Sequence, residues 1–183
     1  MKLTIPTWLT LARIALIPVL VIVYYLDYRW TNVAATAIFA FASITDWLDG
    51  WIARRYNQYS AFGAFLDPVA DKLMVAVALI LLVSLGRTYA FCAMIIIGRE
   101  ITISALREWM AQLGRRNNVA VAQIGKFKTA AQMAAIVLLL IGSENFHGLN
   151  FILIGNILMG VAVILTVWSM CYYLKVAFAD FKE

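Results

Sequence analysis

Four aspartates interrupt strongly apolar sequence, and their number and spacing suit metal-dependent chemistry. Asp46 and Asp49 stand three residues apart, whereas Asp67 and Asp71 stand four apart. In an α-helix, either spacing places both side chains on one face. Two carboxylates about 4 Å apart repel by about 4 kcal/mol at an effective dielectric near 20, so a cluster of four requires protonation or a bound cation. Oxygen-only ligands favour hard ions, and four carboxylates suit two ions of Mg²⁺ or Mn²⁺.

Small residues accompany the aspartates along the sequence. Gly50, Ala53 and Gly63 would let a ligand or a neighbouring backbone approach closely. Pro68 lies either in the first turn of a helix or inside one, where it removes a backbone hydrogen bond. A second interpretation treats the aspartates as solvated helix caps. It accounts for Asp67, which precedes the proline, and leaves the other three unexplained.

The composition is that of a membrane protein. Of the 183 residues, 64% are hydrophobic and 14% are charged, and the mean hydropathy is +0.86. A soluble domain carries about 25% charged residues. No linker rich in Gly, Ser or Pro divides the sequence, so we expect one membrane domain over residues 1–183 whose first apolar run is retained as a helix. The single histidine excludes a multi-histidine zinc cluster within one chain.

Six apolar spans predict an all-α, polytopic fold with six transmembrane helices. The spans cover residues 9–25, 33–52, 64–85, 89–110, 124–141 and 149–174. A short turn joins the second and third spans, so we expect antiparallel neighbours whose four aspartates converge on one pocket. Trp8, Thr10 and Arg13 indicate a short interfacial segment at the N-terminus, with an ordinary aromatic and basic anchor as the alternative.

Lys and Arg are concentrated on one side of the predicted bundle, which places that side and both termini in the cytoplasm. The cytoplasmic set is Lys2, Arg13, Arg54, Arg55, Arg115, Arg116, Lys126, Lys128, Lys175 and Lys182. The opposite side has Arg29 and Arg87. The net charge of +5 is therefore a topology signal that also suits anionic lipid head groups, and it does not indicate nucleic-acid binding.

The aspartates belong to a longer motif. It reads Asp46-x2-Asp49-Gly50-x2-Ala53-Arg54-x8-Gly63-x3-Asp67-x3-Asp71. Every position matches the signature of the CDP-alcohol phosphotransferase family, which the chain resembles over essentially its whole length. Residues 5–13, 99–110 and 125–133 support the resemblance, although Thr7 stands where many relatives have Asn.

The resemblance implies a reaction, a site and an assembly. In the bacterial relatives that the chain resembles, CDP-diacylglycerol and sn-glycerol 3-phosphate give phosphatidylglycerophosphate and CMP at the inner membrane. By the same resemblance the enzyme is a homodimer whose active site faces the cytoplasm. The implied metal ligands are Asp46, Asp49 and Asp67, with Asp71 completing the site and serving as general base. The implied CDP-binding residues are Asp49, Gly50, Ala53, Arg54 and Gly63.

A phosphorylated acceptor requires cations of its own. The basic residues on the fourth and fifth spans that we expect to bind glycerol phosphate are Arg99, Arg107, Lys126 and Lys128. An arginine inside a membrane span is costly unless it is paired, so Arg99 should face a polar cavity or Glu100. The alternative for the two lysines is that they extend to lipid phosphates.

Other acceptors and another class of protein are alternatives. Related enzymes attach inositol phosphate, serine or a second phosphatidylglycerol, and the basic residues favour a phosphorylated acceptor without separating inositol phosphate from glycerol phosphate. A cation transporter also uses intramembrane carboxylates, but it places them near the midplane, often in repeated halves. Here the aspartates lie near one predicted surface, and the second half of the sequence has no matching pair.

Overall fold

The fold is an all-α bundle. A computed structural model describes residues 4–26, 28, 30–56, 60–112, 122–142 and 149–180. Within these ranges the chain forms six helices and no strand: α1 (Ile5–Tyr25), α2 (Thr31–Tyr56), α3 (Ala61–Ser84), α4 (Ala90–Gln112), α5 (Ala122–Ile141) and α6 (Phe151–Asp180). Each predicted span falls on one of these helices, which confirms the all-α class.

Two of the described helices are long and apolar enough to cross a membrane, namely Pro6–Tyr25 and Phe151–Lys175. α5 contains a shorter apolar stretch, Phe127–Ile141. By contrast, α3 contains three charged residues and α4 contains four. These charges interrupt the continuous apolar surface of a simple spanning helix. That all six helices cross the membrane therefore stays a prediction.

The first helix lies between the two helices that carry the aspartates. α1 packs extensively against both α2 and α3, whereas α2 and α3 contact each other over a much smaller area. α2 and α3 nevertheless contact each other, as expected of neighbouring helices, and α1 packs more extensively against each of them.

The N-terminal residues 5–13 form the first turns of α1, and the interfacial position of this helix start stays a prediction. Pro6 stands in the first turn, where its missing N–H costs no helical hydrogen bond. Thr10 and Arg13 are buried, whereas Trp8 is exposed on the opposite side of the helix. The polar residues of this segment thus face α2 and α3, where they find partners.

The third helix begins earlier than its aspartates. Ser60 is the N-cap, and its hydroxyl oxygen accepts a 2.9 Å hydrogen bond from the backbone N–H of Gly63. Because α3 begins at Ala61, Pro68 lies inside the helix and not in its first turn. Asp67 is likewise inside the helix, so it does not cap α3.

At the end of the bundle away from the aspartates, Arg87 joins four parts of the chain. Its guanidinium donates to the carbonyl oxygens of Leu139 (3.0 Å) and Leu140 (2.7 Å) at the end of α5. It also donates to Oδ1 of Asn32 at the start of α2, at 2.9 Å. Asn156 of α6 donates in turn to the Arg87 carbonyl at 2.8 Å. A cation at a helix C-terminus satisfies carbonyls that lack helical partners.

Candidate functional site

A buried arginine from α1 holds the two aspartates of α2 together. The NH1 group of Arg13 donates to Oδ1 of Asp46 and its NH2 group donates to Oδ2 of Asp49, both at 2.5 Å. Arg13 is 2% exposed and Asp49 is 4% exposed, whereas the side chain of Asp46 is 41% exposed. The sequence placed Arg13 among the cytoplasmic topology charges, and that orientation stays a prediction; the structure adds a direct contact with two aspartates. Its cation lies inside the acidic cluster.

The same face of α1 also contacts α3. The hydroxyl of Thr10 donates to Oδ1 of Asp67, and the hydroxyls of Thr7 and Ser60 lie 2.9 Å apart. Thr7, Thr10 and Arg13 follow one another at intervals of three residues, which places them along one side of the helix. The role of this face was not predicted from the sequence. The available signal was a regular row of polar residues in a helix that is otherwise apolar.

The fourth aspartate lies near the same cluster. Asp71 stands one turn after Asp67 on α3, is partly buried, and is within electrostatic reach of Asp46, Arg13 and Glu100. Among the residues that the structure describes, no three acidic, histidine or cysteine side chains converge closely enough to hold a metal ion. The expected convergence of the four carboxylates on one pocket stays a prediction. Among the described residues, a hydroxyl and a guanidinium of α1 already contact three of these carboxylates.

The donor chemistry of this cluster nevertheless fits a hard divalent ion. All four acidic side chains offer oxygen, which Mg²⁺ and Mn²⁺ prefer. The contacts with Arg13 and Thr10 each use one oxygen of a carboxylate that has two: Oδ1 of Asp46, Oδ2 of Asp49 and Oδ1 of Asp67. The metal assignment of Asp46, Asp49, Asp67 and Asp71 stays a prediction.

The predicted CDP-binding residues are only partly described. Three of them lie on α2 and, apart from their place in that helix, fall outside the described part of the structure: Gly50, Ala53 and Arg54. Gly63 is buried in the first turn of α3. A Cβ atom at this position would lie 2.8 Å from Oγ of Ser60 and 3.0 Å from Oγ1 of Thr7. A larger residue at position 63 would therefore displace the Ser60 hydroxyl and press on Thr7 of α1.

Two of the predicted acceptor-binding cations meet on one carboxylate oxygen. Oε1 of Glu100 accepts hydrogen bonds from NH1 of Arg99, at 3.1 Å, and from Nζ of Lys128. The NH2 group of Arg99 donates to Oγ of Ser169 on α6 at 3.0 Å. Arg99 is 8% exposed and Lys128 is 3% exposed. The expected pairing of Arg99 with Glu100 is confirmed, and the burial of Lys128 excludes the alternative in which it extends to lipid phosphates.

The remaining predicted cations lie elsewhere. Arg107 is exposed and donates to the hydroxyl of Tyr173 at 2.6 Å, and its Cζ lies 4.9 Å from the centre of that ring. The side chain of Lys126 falls outside the described residues. Lys72, next to Asp71, donates to the hydroxyl of Ser104 and so ties α3 to α4. The structure therefore groups Arg99 with Lys128 and places Arg107 with Tyr173.

The fold and the site define a helical membrane protein with an acidic cluster beside a smaller cationic one. The chain belongs to the CDP-alcohol phosphatidyltransferase family, whose sequence pattern it matches over residues 3–168. This match confirms the family that the aspartate motif predicted. Members of the family generally use divalent metal ions.

Full-length relatives share a single enzyme name. The chain is 49% identical over 185 residues to the CDP-diacylglycerol–glycerol-3-phosphate 3-phosphatidyltransferase of Yersinia pestis (strain Pestoides F), with 100% of both chains covered. It is similarly 49% identical to the enzyme of that name from Sodalis glossinidius (strain morsitans) and 50% identical to that from Shigella flexneri serotype 5b (strain 8401), again with 100% of both chains covered. These relatives confirm the expected class of enzyme.

Proposed function

We propose that this protein transfers the phosphatidyl group of CDP-diacylglycerol to sn-glycerol 3-phosphate, giving phosphatidylglycerophosphate and CMP. Its full-length relatives are named for this donor, this acceptor and this transfer. The structural observation that carries the proposal is the position of Asp71, which is within electrostatic reach of both Asp46 in the acidic cluster and Glu100 in the cationic one. A reaction between a metal-bound diphosphate and a phosphorylated alcohol needs two such neighbouring clusters.

The transfer is a displacement at phosphorus. The acceptor hydroxyl forms a new P–O bond to the phosphatidyl phosphorus, the P–O bond to the CMP phosphate breaks, and Asp71 takes the hydroxyl proton as general base. The residues that would hold the divalent ions are Asp46, Asp49 and Asp67, with Asp71 completing the site. When bound, such ions neutralise charge on the diphosphate and on the departing CMP. Holding the hydroxyl in line with the leaving group is the larger part of what the helices contribute.

The donor nucleotide would lie along the end of α2 and the start of α3. Asp49, Gly50, Ala53, Arg54 and Gly63 are the residues that we assign to it. The first turn of α3 supports this placement, because its backbone N–H groups and its positive dipole end attract phosphate oxygens. The nucleotide is held without a glycine-rich phosphate loop, since no GxGxxG or GxxxxGK[ST] occurs in the sequence.

The acceptor phosphate would bind Arg99 and Lys128. Burying two cations against one carboxylate leaves an excess positive charge, which is costly in an apolar bundle unless an anion compensates for it. A phosphate dianion would do so, and arginine offers it a bidentate fork. Arg107 and Lys126 would form an outer part of the same binding region, on the side from which the acceptor enters from water. This preference also argues against serine, which carries no phosphate.

We place the protein in a bacterial inner membrane as a multi-pass protein. All six helices would cross it, with both termini and the active site on the cytoplasmic side, because Lys and Arg are concentrated there. Arg87 lies at the opposite end of the bundle, where its guanidinium donates hydrogen bonds to Leu139, Leu140 and Asn32. Two copies would associate through membrane helices as a homodimer.

A direct assay tests the transfer and its acceptor together. Purified protein would be supplied with CDP-diacylglycerol, Mg²⁺ and either glycerol 3-phosphate, inositol phosphate or serine, and released CMP would be measured. We expect rapid release with glycerol 3-phosphate and only background release from the Asp46→Asn control. Faster turnover with inositol phosphate would reassign the acceptor. Absence of CMP release with every acceptor, from protein that is folded, would contradict the transferase function itself.

A further inference from the structure

Arg13 is the one described arginine that forms ion pairs with two carboxylates of the family motif. It is buried to 2% exposure, and its Nε has no hydrogen-bond partner in the described structure. Burying a guanidinium is costly unless anions and hydrogen bonds compensate for it. Asp46 and Asp49 supply this compensation, so the burial of Arg13 depends on the acidic cluster.

The geometry of the contact fixes the direction of both carboxylates. Each terminal nitrogen of the guanidinium binds a different aspartate, NH1 at Asp46 and NH2 at Asp49. Without a cation between them, two carboxylates on one helix face repel and turn apart. Because the guanidinium is planar and its nitrogens are at a fixed separation, it holds the two acids at a fixed spacing, which a single ammonium group cannot do.

Thr10, one turn earlier on α1, also contacts a carboxylate of the motif. Its hydroxyl donates to Asp67 of α3, and Thr10 is fully buried. Through these two residues α1 contacts three of the four motif carboxylates, on the two helices that it separates. No single interaction within α2 or α3 could orient acids on both helices relative to each other.

We propose that α1 is the positioning element of the metal site, with Arg13 orienting Asp46 and Asp49 and Thr10 orienting Asp67. The inference rests on the proposed metal-dependent function. Removing a residue that hydrogen-bonds to a metal ligand and orients it typically weakens metal affinity by about 10-fold to 100-fold. Arg13 and Thr10 are thus positioning residues, and they need not touch either substrate.

The test measures metal binding without turnover. Full-length protein in detergent would be titrated with Mn²⁺, and free Mn²⁺ would be followed by its electron paramagnetic resonance signal in the absence of both substrates. We expect Arg13→Lys, which keeps the charge and loses the fork, to weaken Mn²⁺ binding by about 10-fold to 100-fold. Thr10→Val should weaken it by about 10-fold and Thr10→Ser should restore it, because serine keeps the hydroxyl.

Arg87→Lys is the matched control. It removes an equally connected guanidinium at the other end of the bundle, so it should lower thermal stability and leave Mn²⁺ affinity unchanged. An unchanged or tighter Mn²⁺ affinity in Arg13→Lys would overturn the positioning role, even if its stability falls as it does in Arg87→Lys. If Arg13→Lys does not fold, an unchanged affinity in Thr10→Val would overturn the role of α1. Wild-type protein that binds no Mn²⁺ would instead overturn the proposed metal site as well.

Discussion

Arg13 of α1 and Asp49 of α2 form an ion pair at 2.5 Å in which the side chains are 1% and 4% exposed. Removing one member of such a buried pair leaves an uncompensated charge, which typically costs about 3–5 kcal/mol. The pair therefore couples the stability of the bundle to the chemistry of the site. Substitutions in this cluster should consequently be judged by a binding or kinetic measurement made on folded protein, together with the unfolding temperature.

The first prediction concerns the four aspartates. Asp46→Asn, Asp49→Asn, Asp67→Asn and Asp71→Asn should each lower the rate of CMP release by about 100-fold or more, by analogy with the loss of a general base or a charge-stabilising group. Chelation of divalent ions should abolish the wild-type rate reversibly. Near-normal turnover in the presence of the chelator, or in two of the four variants, would contradict the metal site.

The second prediction separates Asp71 from the other aspartates. As a general base it should affect proton transfer more than metal affinity, so Asp71→Asn should bind Mn²⁺ and CDP-diacylglycerol almost as the wild type does. Asp46→Asn should bind Mn²⁺ poorly, since it removes a proposed ligand. The comparison requires only equilibrium titrations of the two variants. Equal loss of affinity in both would make Asp71 mainly a ligand.

Much of this architecture could be predicted from sequence because it depends on local patterns. The lengths of the apolar stretches predicted the six helices. The spacing of four aspartates identified the acidic motif: Asp46, Asp49, Asp67 and Asp71. What the sequence could not show was which helix lies between α2 and α3. The contact of Arg13 with Asp49 spans 36 positions, and charge counting along the chain treats Arg13 like any other cytoplasmic arginine. The pairing became visible only with the packing of α1.

The start of α3 is a second feature that the local sequence did not determine. The sequence predicted a third span from residue 64 and left open whether Pro68 lies in the first turn of the helix or inside it. The structure starts α3 at Ala61 instead, with Ser60 bound to both Gly63 and Thr7. The Ser60 hydroxyl that caps α3 also contacts Thr7 of α1. That contact involves a residue 53 positions away, so no local pattern could reveal it.

The third prediction uses two glycines as a matched pair. Gly142 and Gly86 both have positive φ, 63° and 66°. A Cβ at Gly142 would lie 2.2 Å from Cζ of Arg87, whereas one at Gly86 would meet nothing within 4 Å. Gly86→Ala should therefore cost only the strain of the left-handed backbone, about 1 kcal/mol. Gly142→Ala should cost clearly more, because it also displaces Arg87 from the α5 carbonyls. Thermal unfolding in detergent measures both, and equal losses would contradict the role of Arg87.

The last prediction concerns the acceptor site, where the structure separates residues that the sequence had grouped. Lys128 is buried beside Arg99 on Glu100, whereas Arg107 is exposed and bound to Tyr173. A charge-assisted contact is worth about 1.5–3 kcal/mol, or roughly 10-fold to 150-fold in affinity. Lys128→Met keeps the side-chain length and removes the charge, so it should raise the KM for glycerol 3-phosphate by at least about tenfold.

The KM for CDP-diacylglycerol should change little in Lys128→Met, because the donor diphosphate is assigned to the acidic cluster. Arg107→Met is the control at the rim of the site. Its charge is exposed to water, which weakens any contact with the acceptor, so its effect on the same KM should be several-fold smaller. Steady-state kinetics with each substrate varied in turn distinguishes the outcomes. If Lys128→Met raises the KM for CDP-diacylglycerol and leaves that for glycerol 3-phosphate unchanged, Lys128 binds the donor head group and the acceptor phosphate must lie elsewhere.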